Sequence, residues 1–504
     1  MNFAVITDSP RKVVAAALVG FLVLVACAWV GYLGSDDVTY ADGAYGWMES
    51  FPYVGGHGTV RYTITIPMAL SFIAFGESEF TMTLPTLLYG MGLIAILVLM
   101  LHRILGGGCA VLSALLLITS PLLVIWVTIA SVDIIEAFFV FSSLLLFIHA
   151  SKQDAQWRYL VASGAMAGLA FLTRETAVFF LVFYGVLFLA GYGINRLYYF
   201  IMAAGFFAVW LAEVAYFYIL TGDPLYRINI SLHHDSTIDR GTDVAGNLIV
   251  HPVIDPLLVI LLNQEFAMLF WVAVPAGLWL LFSNRISPAV RRMAILFSGV
   301  GLIWLICVGA AQSLLPLNPR YFLIAAISAS IVTALAVAEL FRLRQQQLGA
   351  AVLFLLVAGN LAGIYIENRN HMFGERELSD IVARYHEPVF TDPLTYRRAE
   401  LLLKWSDGGE RVSGAPPPPG SIYLYNPPRA NALTGMISAE DTQRYQPQGT
   451  WELLEGKAPG SKLAGSVVKA LGLGDLLPGK LMNALSEGHP GVEIYRVPKE
   501  ADGG

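Results

Sequence analysis

Charged residues are scarce in this chain. Asp, Glu, Lys and Arg make up 13% of its 504 residues, whereas a soluble globular domain carries about a quarter. The net charge of −6 offers no basic surface, which argues against nucleic acid as a partner. Cysteine is nearly absent. Cys27, Cys109 and Cys307 all lie in apolar stretches, which excludes a disulfide-stapled extracytoplasmic domain and leaves the redox compartment open. No internal repeat is visible, nor the inverted-topology symmetry that many transporters carry. What remains is apolar: 56% of the residues are hydrophobic and the mean hydropathy is +0.63.

Runs of about 20 apolar residues are long enough to cross a hydrocarbon core. Eleven are expected, at 13–33, 82–102, 108–127, 134–150, 159–173, 176–195, 198–220, 262–282, 293–312, 321–341 and 348–366. The fold class expected is therefore a polytopic α-helical membrane protein. Leu24-Val25-Ala26-Cys27 resembles a lipoprotein cleavage box, but Ala28–Leu33 continue the apolar run, so the first span is kept. With Arg11 and Lys12 in the cytoplasm, strict alternation puts Arg103, Lys152, Arg158, Arg196, Arg285, Arg291, Arg292, Arg342 and Arg344 on the same side. That bias is the positive-inside pattern. Arg61, Arg174, Arg227, Arg240 and Arg320 fall on the other side.

The long loops share that second side. A first outer loop covers 34–79 and includes a short apolar segment, Ile64–Phe75, expected as an interfacial helix. A second covers 222–255 with His233, His234, Asp235, Asp239, Arg240 and His251. The inner connections are short and basic, so the working face is the outer one. Residues 1–366 thus read as a membrane domain. From 367 to 504 the chain is charged and proline-rich, with short apolar runs at Pro388–Phe390, Ser421–Tyr425 and Val492–Val497, a helical run at Arg397–Trp405 and a Pro416–Pro419 linker. These features predict a small extracytoplasmic α/β domain.

Chemistry-bearing residues gather at the outer face. Asp36 and Asp37 follow the first span; adjacent carboxylates repel, and they persist either as a solvated helix cap or beside a compensating cation or proton. Asp133 and Glu136, one turn apart, start the fourth span as a helix-start pattern or as acids of an inter-helix pocket. Arg61, Arg174 (beside Glu175) and Arg320 suit bidentate phosphate recognition, although headgroup anchoring gives the same residue type. Glu213 lies inside a span, where a carboxylate is costly and a functional candidate. His233 and His234 precede Asp235 at a spacing that matches no specific metal motif.

Several of these segments resemble the GT-C glycosyltransferases, in particular the family of protein O-mannosyltransferases and the aminoarabinose transferase that modifies lipid A. Asp36-Asp37-Val38-Thr39-Tyr40-Ala41 matches the family's D-E-x-x-Y-A pattern, with Asp37 in place of Glu. Phe75-Gly76-Glu77-Ser78-Glu79-Phe80 looks like its F-G-x-S-E-F segment. Phe171-Leu172-Thr173-Arg174-Glu175-Thr176 is similar to L-T-K-E-T, and Arg320-Tyr321 to an R-Y pair.

The resemblance implies that Asp36 is the catalytic base or a metal-bridging acid and that Asp133 is the second acid. It implies that Arg61, Arg174, Arg320 and His233 or His234 meet the donor phosphate, supported by Asp37, Tyr40, Glu136 and Glu175. Val60 stands where the family has an acid before its phosphate-binding lysine, with His57 close enough to substitute. A divalent cation, magnesium or manganese, on Asp36, His57 and Asp133 is allowed on this reading.

The activity implied is hexosyl or pentosyl transfer from a polyprenyl-phosphate donor, with inversion. The acceptor is a lipid, glycan or protein hydroxyl at the periplasmic face of a bacterial inner membrane. A polyprenyl-linked glycan flippase is the alternative, and would spread charge through the depth of the bundle. A membrane-anchored scaffold is a third, for which eleven spans are excessive.

Overall fold

A computed structural model describes residues 9–152, 156–234, 254–311, 317–368, 370, 372–433, 436–472, 474 and 479–499. Asp235, Asp239, Arg240 and His251 lie outside the described residues. The chain is mostly helical and divides into two compact units. The first comprises Met1–Trp29, Thr39–Gly76 and Thr81–Glu367; the second gathers Val30–Val38, Glu77–Phe80 and Asn368–Gly504.

Among the described residues, seven helices are long and apolar enough to cross a membrane: Pro10–Cys27, Glu79–Leu105, Val132–Ala150, Arg196–Thr221, Pro288–Ala310, Pro319–Arg342 and Gln346–Glu367. The chain is an integral membrane protein. The other four expected spans are also helical, but shorter: Gly107–Ile118, Trp157–Thr173, Val178–Ala190 and Leu269–Phe282 have 12, 17, 13 and 14 residues. Two expected boundaries are corrected. The first helix stops at Cys27 rather than 33, ahead of Gly31, which adopts φ +74°, a conformation that no helix accommodates. The span expected at 108–127 breaks into Gly107–Ile118 and Pro121–Trp126. Pro121 lacks an amide donor and pushes Ser120 to extended backbone, ψ 120°. The apolar segment of the first loop is a helix, Tyr62–Phe75, whose buried face includes Ile64, Met68 and Phe72.

Helix Leu323–Arg342 is the hub of the first unit. It is buried along nearly its whole length and packs on Gly107–Ile118, Leu269–Phe282, Pro288–Ala310 and Gln346–Glu367. Ala325, Ala326, Ser328, Ala329 and Ser330 keep its surface shallow, which lets membrane helices approach closely. The closest approach is elsewhere, between Trp157–Thr173 and Arg196–Thr221. A Cβ on Gly164 would stand 1.8 Å from the Met202 carbonyl oxygen, and one on Gly205 2.1 Å from that of Val161. Three buried hydroxyls bond locally: Ser143 Oγ donates to the Ser163 carbonyl at 2.7 Å, Ser163 Oγ returns a bond at 2.8 Å, and Tyr184 Oη lies 2.9 Å from Ser143 Oγ.

The second unit carries a five-stranded sheet. Its strands are β1 Val389–Thr391, β2 Val412–Ser413, β3 Ile422–Tyr425, β4 Glu452–Lys457 and β5 Val492–Arg496, in the order β2-β1-β3-β5-β4. β1 runs parallel to β2 and β3, while β5 is antiparallel to β3 and β4. Leu378, Ile381 and Val382 of helix Phe373–Arg384 close the core against Val389, Ile422, Leu424 and Ile494. The helical run expected at 397–405 is two short helices, Pro393–Arg398 and Glu400–Lys404.

Gly205→Ala should wedge its two helices apart at a cost of about 1–3 kcal/mol, typical of overpacking. A lowered thermal midpoint in detergent is expected, beside an unchanged one for Gly185→Ala, whose Cβ meets nothing within 4 Å.

Candidate active site

The adjacent acids have different environments. Asp36 and Asp37 begin helix Asp36–Glu49. Asp37 is 1% exposed, and its carboxylate accepts amide hydrogen bonds from Leu33 at 2.6 Å, Gly34 at 3.3 Å, Ser35 at 2.6 Å and Val38 at 3.2 Å. Burial raises its proton affinity above that of an ordinary aspartate, and the amides of Leu33, Ser35 and Gly34 oppose the shift. Asp37 therefore folds the turn, whereas Asp36 is partly exposed.

The remaining candidates belong to the helical unit. Tyr40 is buried, and its hydroxyl accepts a hydrogen bond from Arg61 Nη1 at 3.2 Å. Arg61 acts electrostatically on both Glu136 and Glu175. Ser131, not Asp133, caps helix Val132–Ala150; its Oγ accepts from the Asp133 amide and donates to Asp133 Oδ2 at 2.9 Å. The other Asp133 oxygen receives Arg174 Nη1 in a buried salt bridge. The Arg174 guanidinium also lies over the Tyr321 ring, 4.2 Å from its centroid. Arg320 rests 5.6 Å from the centroid of Trp126 and 5.5 Å from that of Tyr321. Glu136 is buried and accepts from Thr176 Oγ1 at 2.6 Å. Arg61, Asp133, Glu136, Arg174, Arg320 and Tyr321 thus form one electrostatically connected group.

A neighbouring group was not legible as such. Arg227 is 2% exposed. It pairs with Glu213 and donates from Nη1 to Glu175 Oε1 at 2.6 Å, an oxygen that also accepts from Ser231 Oγ at 3.1 Å. This supplies the partner for Glu213. The signal in the sequence was a lone carboxylate inside a span and a cation a few residues beyond the end of that span. His233 is exposed and directs Nδ1 at the Asn229 carbonyl of its own helix, 2.6 Å away. His234 ends that helix. His57 lies, partly buried, in the turn before helix Tyr62–Phe75. Among the described residues no group of three His, Cys, Asp or Glu side chains could hold a metal ion, and both Asp133 oxygens already have partners.

Arg227→Met should leave two carboxylates unpaired at a cost of about 3–5 kcal/mol, read as a large fall in thermal midpoint. Adding Glu213→Gln and Glu175→Gln to that variant should recover most of the loss.

Residues 60–218 match the family model described as dolichyl-phosphate-mannose-protein mannosyltransferase. No curated protein sequence matches the chain. Among solved structures, ArnT from Cupriavidus metallidurans is similar both in the apo state and bound to undecaprenyl phosphate. Each has 15% identity and a TM-score of 0.56 over 86% of this chain and 98% of that one. The Archaeoglobus fulgidus oligosaccharyltransferase in its apo form has 13% identity and a TM-score of 0.51, over 80% of this chain and 64% of its own. The chain therefore has the fold of the ArnT structures, and its residues 60–218 are similar to the protein mannosyltransferase family.

Proposed function

We propose that the protein transfers a glycosyl group from a polyprenyl-phosphate donor to an acceptor hydroxyl at the periplasmic face of a bacterial inner membrane. One observation carries this reading. Within the helical unit Tyr40 binds Arg61, and Arg61 acts on Glu136 beside the Asp133–Arg174 pair, which gathers cations suited to a phosphate. The family signature covers Arg61, Asp133 and Arg174, and the similar ArnT structure bound to undecaprenyl phosphate supports a lipid phosphate as part of the donor.

In the proposed reaction, Asp36 accepts the proton of the acceptor hydroxyl as its oxygen attacks the anomeric carbon. The bond from that carbon to the phosphate oxygen breaks on the opposite face, so configuration inverts and polyprenyl phosphate leaves. Arg61, Arg174 and Arg320 offset the charge that grows on the departing phosphate. Asp133, bound to Arg174 and Ser131, orients that cation. The arginines supply this compensation without a divalent cation.

A positioned base contributes about 10²–10⁴-fold. Asp36→Asn should lose that much transfer of labelled sugar from polyprenyl-phosphate donors while keeping the wild-type thermal midpoint; unchanged transfer would overturn the assignment. Turnover should withstand EDTA, and its loss on chelation would reinstate a metal. Absence of turnover with any donor, together with saturable lipid binding, would identify a carrier instead.

A further inference from the structure

The C-terminal α/β unit contains more than a sheet. Val30–Val38, the segment that delivers Asp36, is part of this unit, and two arginines of the unit hold it by its backbone. Arg398 Nη2 donates to the Leu33 carbonyl at 2.6 Å. Arg376 Nη2 donates to the Val30 carbonyl at 2.7 Å and to Glu79 Oε1 at 2.7 Å, the oxygen that accepts the Tyr32 amide at 2.8 Å. The fit is close. Gly34 adopts φ +63°, and a Cβ there would stand 2.7 Å from the Arg398 carbonyl oxygen and 3.2 Å from Met372 Cε. Three of the four amides that bind Asp37, those of Leu33, Gly34 and Ser35, come from this same turn. The turn is thus fixed from inside by a carboxylate and from outside by guanidinium groups.

We infer that Arg398, assisted by Arg376, is a positioning residue for the transfer reaction: by holding the Leu33–Ser35 turn, the C-terminal unit sets where the Asp36 carboxylate points. The inference rests on the role of Asp36 proposed above. Arg398 is suited to a test because its removal leaves Glu375 paired with Arg429 at 2.8 Å, so the buried carboxylate beneath it stays compensated. Misplacing a reacting group by about 1 Å can cost about 10²-fold in rate without affecting binding.

The experiment uses the full-length protein and a polyprenyl-phosphate sugar donor, with kcat, donor KM and thermal midpoint measured for wild type, Arg398→Ala, Arg398→Lys, Gly34→Ala and Asp36→Asn. Arg398→Ala and Gly34→Ala should lower kcat about 10- to 100-fold with donor KM within about twofold of wild type, and Arg398→Lys should recover part of the loss. Placed in an Asp36→Asn background, Arg398→Ala should cost nothing further, because it acts through the missing group. Additive losses in the double variant would overturn the inference alone, as would an unchanged kcat, or a midpoint and KM that move while kcat holds. Wild-type turnover by Asp36→Asn would remove the base assignment and this inference with it.

Discussion

Arg227 reaches Glu213 and Glu175 together, joining a membrane helix, the junction between two others and the start of the second outer loop. Taking an ion out of water costs several kcal/mol even after relaxation, and a lone buried charge is far worse than a buried pair. The helix ends near the candidate site therefore have little freedom to separate. Asp133 and Arg174 impose the same constraint one layer away. Tyr321, Trp126 and Arg320 pack over that pair or beside it through aromatic faces, contacts that gain strength where water is excluded. The site is built around cations fixed by carboxylates and rings, an arrangement that keeps dipoles oriented before a substrate enters.

The membrane architecture was largely legible because bilayer thickness converts directly into sequence length. Helices correspond to all eleven apolar runs, and the apolar stretch Ile64–Phe75 is helical too. Boundaries failed where backbone conformation overrides hydropathy: the first helix stops at Cys27, ahead of Gly31 with its positive φ, and Pro121 splits another. In the C-terminal unit the apolar alternation identified three strands correctly, while β2 and β4 were missed. β2 has only two residues and β4 is largely exposed, so neither carries a strong pattern.

The chemistry was legible by residue type but not by pairing. Two adjacent aspartates look alike in a string of letters, and only the fold shows that Asp37 binds four amides. Outer-face arginines were singled out as anion ligands. One of them, Arg174, proves to be matched with a carboxylate of its own chain, as is Arg227, which was given no such role. Partners 41 and 52 residues apart leave no periodic trace. The arginines of the C-terminal unit were invisible for the same reason, since Arg398 meets Leu33 across 365 positions.

The break at Ser120–Pro121 bears on how the protein is made. Non-helical backbone at membrane depth persists only where protein covers it. Here the cover comes from helix Gln346–Glu367: Asn360 Nδ2 donates to Thr119 Oγ1 at 3.2 Å, and Gly363 leaves room for the Pro121 ring, which a Cβ would approach to 2.7 Å. Asn360 is 241 residues downstream of Thr119. During synthesis the broken span leaves the ribosome long before this helix exists, so Thr119 Oγ1, which donates to the Leu115 carbonyl, lacks its second partner until helix Gln346–Glu367 arrives. Truncation before that helix would strand an early segment, giving quality control a defect to recognise far from the cut.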